Sequence, residues 1–178
     1  MHTDHSPTCT CRAHPLPASL HVKDALAAYL SENGFTTEGY DAPTSQGSLF
    51  GVTFSVPNPP AHRRALRLHD LHHVATGFGT DHAGEAELSA WQARRGLLRA
   101  GVYVSAIVMT NVLVGLAVAP RRTLLAWRDR RGSSLFSVPV DYETLLEKTV
   151  GELRAQLDIP GEGLANQPRG LHIGAPQA

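Results

Sequence analysis

Ten histidines are spread through 178 residues, and five of them, His62, His69, His72, His73 and His82, crowd between positions 62 and 82. Within that window the string His69-Asp70-Leu71-His72-His73 is followed by eleven residues and then Glu85. On a helix turning about 100° per residue, His73 falls roughly 40° from His69 and Asp70 about 100° from it, so three donors share one side. His69 and His73 are one turn apart, about 6 Å of rise, close enough for two imidazoles to converge on one ion. Glu85, in the first turn of a returning helix, closes the set from across the helix pair. Two nitrogen and two oxygen donors suit one divalent metal ion, and zinc, manganese, iron and cobalt all accept such ligands. Zinc would serve only as a Lewis acid, whereas a redox metal could also take part in oxygen chemistry. His72 points about 60° away from His69 and is read as facing water.

Three other readings of the string fit less well. His69-x-x-His72-His73 matches a histidine box of membrane di-iron hydroxylases, which need several boxes and several spans. His69-Asp70 is similar to the pair of HD-type phosphohydrolases, but the earlier His and later Asp of that set are not found at plausible separations. His69-Asp70-x-x-His73 imitates the His-Glu-x-x-His helix of metalloproteases, yet aspartate is shorter than glutamate and badly placed as the general base.

The elements that must position these donors are helical. Val22, Leu26, Ala27, Tyr29 and Leu30 lie on helical spacing from Leu20 to a stop at Asn33-Gly34. A Gly/Thr/Ser/Pro-rich stretch to Gly47 reads as a loop, and the alternation of Phe50, Val52, Phe54 and Val56 predicts one short extended segment. A helix starts near Pro60 and breaks at Gly77-Phe78-Gly79, and another runs from about Ala83 to Arg99, an antiparallel pair joined by a short turn. Val102 to Ala119 carries no charge and ends at Pro120-Arg121-Arg122. With Asn111 at its centre and arginines at both ends it reads as a buried central helix rather than a transmembrane span. An amphipathic helix over Arg121 to Arg131, a short one capped by Asp141 and a last one opened by the Thr149 to Glu152 capping box complete the pattern.

The expectation is therefore an all-α (mainly α) single compact domain of about six helices over residues 19–160, with a disordered Cys/His-containing leader at 1–18 and a flexible tail at 161–178. The leader holds Cys9 and Cys11 with His2, His5 and His14, in no zinc-knuckle spacing. It has neither the apolar run of a secretory signal nor the basic character of a transit peptide, so a cytoplasmic protein is expected. A 42% hydrophobic and 18% charged composition excludes a disordered or multi-span chain, and sixteen basic residues balancing sixteen acidic ones argue against nucleic acid as a partner.

His69, Asp70, His73 and Glu85 together resemble the His-Asp-x-x-His-x11-Glu signature of a family of small helical proteins of coenzyme Q (ubiquinone) biosynthesis. Thr76-Gly77, Gly84, Ala126-Trp127, Gly132 to Phe136, Leu153-Arg154, Leu157 and Ile159 extend the resemblance over about residues 48–160. It implies a bacterial-type peripheral protein, at the inner face of the membrane, that binds a divalent metal and a prenylated aromatic or isoprenoid lipid. It also implies oxidative decarboxylation at carbon 1 of a prenylated 4-hydroxybenzoate ring, with the four residues holding the metal. The alternative is a non-catalytic lipid-binding scaffold that organises other quinone-biosynthesis enzymes, and a homodimer is compatible with either. Two features depart from the family pattern: His72 stands where an aromatic is frequent, and the Cys/His leader has no counterpart. Val102 to Ala119 is read as core before channel wall, and Arg63, Arg64 and Arg67 as a solvated basic face before a phosphate or anionic-lipid site.

Overall fold

The computed structural model describes residues 16–165 apart from 50 and 51, so the expectations for the leader's cysteines and histidines and for the end of the tail lie outside the described residues. Among the described residues seven α-helices pack around one core: α1 (Val22–Glu32), α2 (Pro60–Thr76), α3 (His82–Ala93), α4 (Val102–Val118), α5 (Pro120–Arg128), α6 (Tyr142–Leu146) and α7 (Val150–Gln156). The mainly helical single domain expected from apolar periodicity is what forms, with one helix more than counted. Short 3-10 turns occupy Thr37–Asp41 and Leu97–Ala100, the second replacing the last turn of the helix expected to reach Arg99.

Leu71 from α2, Leu88 and Trp91 from α3, and Leu153 and Leu157 at the C-terminal end are fully buried and knit α2 and α3 to the rest. Arg154 is buried as well. Its guanidinium donates to Ala75 O, Leu16 O and Gly161 O, so one cation meets the carbonyl-rich C-terminal turn of α2 and both flanking chain segments. The α7 capping box forms as its spacing requires, with the Thr149 hydroxyl accepting from Glu152 N–H and the Glu152 carboxylate from Thr149 N–H.

The structure departs from expectation in three places. The extended region is an antiparallel hairpin of β1 (Thr44–Leu49) and β2 (Val52–Pro57), with Thr44 paired to Pro57 and Leu49 to Val52. Its first strand reads as loop in sequence because its polar residues have no alternation of their own; it is defined by its partner. The body also exceeds 19–160. Leu16 packs on the core, Gly151 N–H donates to Ala18 O, and Leu164 is fully buried with its N–H on Thr76 O. Finally, α4 is buried along one face only, through Val104, Ser105, Val108, Val112 and Gly115. Its opposite face leaves Val102 86% and Leu113 64% exposed, beside Met109 and Leu116. Hydropathy measures how apolar a helix is, not how much of it neighbours cover. No helix among the described residues is long and apolar enough to cross a membrane.

Candidate metal centre

The helix α2 carries His69 and His73 on its buried side and ends at Gly77, whose left-handed backbone (φ +75°) lets the chain turn back. The returning loop lies tightly on the start of α3: a Cβ at Gly84 would stand 2.2 Å from Gly79 O, so only glycine allows this approach. Asp81 caps α3 by accepting the Gly84 N–H at 2.7 Å, and Glu85 follows in the first turn. These devices bring Glu85 to the two imidazoles. His69 Nε2 is 3.2 Å from Glu85 Oε2, His73 Nε2 is 3.2 Å from Oε1, and the two Nε2 atoms are 3.1 Å apart.

The second nitrogen of His73 fixes what the ring offers to this cluster. Its Nδ1 lies 2.9 Å from Phe78 O, a carbonyl that can only accept, so Nδ1 carries the proton and neutral His73 presents a bare Nε2. Tyr29 stacks on the same ring at 5.3 Å and fixes its plane. A lone pair, a carboxylate and a second imidazole nitrogen thus converge on a common point, an arrangement that calls for a cation. A zinc ion with bonds of about 2.1 Å in a tetrahedron holds its donors roughly 3.4 Å apart, close to the spacing here. One atom from each of His69, His73 and Glu85 lies within 4.8 Å of the others, a group that could hold one metal ion. The His73 side chain is sealed at 1% exposure, while those of His69 and Glu85 remain 19% and 29% exposed, so access is from their side.

The electrostatics agree. When the imidazoles are protonated rather than bound to a cation, burial alone would raise the Glu85 carboxyl, but the charge of His73 and the hydrogen bonds from both imidazoles hold it well below the usual carboxylate range. Burial opposes a charged His69, yet the hydrogen bond and charge of Glu85 outweigh it and shift this imidazole upward. Without a metal, a proton takes the cation's place.

Asp70 has other partners. About 100° round from His69, its carboxylate accepts the Tyr40 hydroxyl at 2.5 Å, with the Tyr29 hydroxyl at 3.5 Å, and burial raises its pKa. The structure therefore gathers two nitrogens and one carboxylate, leaving Asp70 on the adjoining face. His72 does not face water. It is fully buried between the edges of Trp91 and Phe136, and burial keeps its pKa well below the ordinary value. The 60° that turns it from His69 directs it into the segment around Leu135, which sequence distance conceals. Arg63 and Arg64 donate to Asn58 O and Val140 O, and Arg67 pairs with Asp41, so this basic face is engaged by the protein itself.

Gln92 was not anticipated. It is fully buried with its amide between His69 and His72. A signal existed: position 92 is seven residues after Glu85 on α3, two turns along the same face. Tyr29, brought in from α1, has no such local signal. No protein-family profile matches the chain, and neither curated proteins nor solved structures give a match.

Proposed function

We propose that this chain binds one divalent metal ion through His69, His73 and Glu85 and acts on a prenylated 4-hydroxybenzoate, removing the carboxyl at carbon 1 oxidatively. The metal part is carried by one observation, the bare Nε2 of His73 aimed at a carboxylate and a second imidazole. The substrate part rests on the resemblance of the His-Asp-x-x-His-x11-Glu string to quinone-biosynthesis proteins. A bound divalent cation would fix the ring carboxylate and stabilise charge developing on the ring oxygens. Phe78 O and Tyr29 hold His73 in place, Glu85 supplies negative charge, and the partial exposure of His69 and Glu85 leaves a side on which an aryl acid can approach. Overall, an aryl carboxyl is replaced by hydroxyl with release of carbon dioxide. Dioxygen would supply the hydroxyl oxygen, and a two-electron donor of the reduced-nicotinamide class, oxidised in the same turnover, would supply the electrons that with two protons carry the second oxygen away as water.

An isoprenoid tail needs apolar surface, and the outer face of α4 supplies it. From position 88 to 128 there are six arginines and no acidic residue; Arg95, Arg99 and Arg122 are held by the protein's own carbonyls and by Glu87, which leaves Arg121 and Arg128 with Arg94 to favour an anionic lipid surface at the inner face of a membrane. That same face favours the second reading, a non-catalytic scaffold presenting the lipid to other quinone-biosynthesis enzymes. Elemental analysis of protein without a histidine tag is expected to give one metal per chain in the wild type and none in His69→Ala. If Glu85→Ala abolishes turnover of a prenylated hydroxybenzoate while fold and lipid binding persist, the enzyme reading holds. A wild type that turns over nothing with any metal supplied leaves the scaffold.

A further inference from the structure

Protons on the far side of His69 can be placed by following hydrogen bonds back to a backbone amide. Leu135 N–H, which can only donate, lies 2.8 Å from His72 Nε2, and the Ser134 hydroxyl, itself accepting from Phe136 N–H, lies 3.3 Å from the same nitrogen. His72 Nε2 is therefore an acceptor, and the ring's single proton is on Nδ1. That proton points at Gln92 Nε2, 2.9 Å away, which also stands 3.2 Å from His69 Nδ1. A donor cannot face a donor. A half-turn of the carboxamide exchanges its oxygen and nitrogen without changing its shape and puts Oε1 at this position. The one oxygen then lies within reach of both Nδ1 atoms.

We infer that Gln92 is a positioning residue of the metal centre: its side-chain oxygen accepts the Nδ1–H of both His72 and His69, so that His69, like His73, presents a bare Nε2 to the cation. This rests on the metal reading above. His73 is set by a backbone carbonyl, and His69 is set by a relay that starts at a backbone amide on the other side of the core. His72, wedged between Trp91 and Phe136, keeps the amide from turning over, which gives this buried histidine a purpose that ligation does not.

The test uses the full chain, with zinc and cobalt as probes. In wild-type protein, nitrogen-15 spectra of the histidine rings should show His72 as the Nδ1–H tautomer with or without zinc. In the zinc-loaded form, His69 should have a solvent-protected Nδ1 proton. Gln92→Leu should lose that protection and weaken zinc and cobalt about 10–100-fold, the usual range for an outer partner of a ligating histidine. Gln92→Glu, which keeps an acceptor of the same shape, should bind at least as tightly as the wild type. His72 found as the Nε2–H tautomer, a Gln92→Leu protein of unchanged affinity, or Gln92→Glu as weak as Gln92→Leu would each overturn the inference. Failure of wild-type protein to bind zinc or cobalt would instead overturn the metal reading, and the His72 tautomer would still decide the relay.

Discussion

The facing sides of α2 and α3 and the outer face of α4 treat their side chains in opposite ways. Between α2 and α3, three histidines, a glutamate and a glutamine are drawn inward, and every one has a partner. On α4 it is the apolar residues, Val102, Met109, Leu113 and Leu116, that face outward. Polar groups are taken from water only where partners replace it, and an apolar face left to water gains the fold nothing, so the two regions answer to different demands. Each is what binding would require, of a cation in one case and of an apolar partner in the other.

The contrast can be broken by mutation. Leu71→Ala, in α2 between the two ligands, should cost about 2–5 kcal/mol by leaving a cavity, read by chemical denaturation, whereas Leu113→Ser should change stability by no more than about 0.5 kcal/mol. A large loss at Leu113 would mean that the outer face of α4 is covered. His73→Ala should remove metal binding by more than the roughly 100-fold upper range of outer-sphere partners, measured by competition with a coloured chelator. Asp70→Asn should weaken zinc by less than the roughly 10-fold lower range of outer-sphere partners, since its oxygens are turned to Tyr40 and Tyr29; a loss as large as that of His73→Ala would make Asp70 a fourth ligand.

The smallest effect is that of pH. The upward shift of His69 from its ordinary 6.5 stabilises the metal-free fold below that value, and this is lost as pH rises through the shifted pKa. The downward shift of Glu85 from its ordinary 4.5 contributes above that value and is lost as pH falls through the lowered pKa. The cluster's contribution in chelated protein should therefore be greatest between about 4.5 and 6.5, and zinc affinity should rise with pH as the competing proton leaves His69. Melting temperatures across this range, with chelator and with zinc, measure both; a flat profile in chelator that His69→Ala and Glu85→Ala leave unaltered would mean the three groups do not share a proton.

Local signals made the helical frame legible. The period of α2, the glycine break after Thr76 and the capping box at Thr149 each depend on residues within a turn or two of one another. The spacing of His69, His73 and Glu85 belongs to the same class, because two adjacent antiparallel helices leave little freedom in how their facing residues meet. What could not be read depends on distant partners. His72 is buried by Trp91 and Phe136, Asp70 is claimed by Tyr40, and β1 is a strand because β2 lies beside it. The face of α4 that would be covered depended in turn on where α3 and α5 came to rest.

Arg154 has a practical consequence. By grasping Leu16 O, Ala75 O and Gly161 O together, it brings the two extremities of the packed body to one pole, beside the helix end that follows His73. An affinity handle fused directly before Leu16 or after Gly161 would start from that pole, where a run of imidazoles would compete for the very ion being assayed. A purification tag removed before measurement, or one without metal-seeking side chains, follows directly from the grip of a single guanidinium.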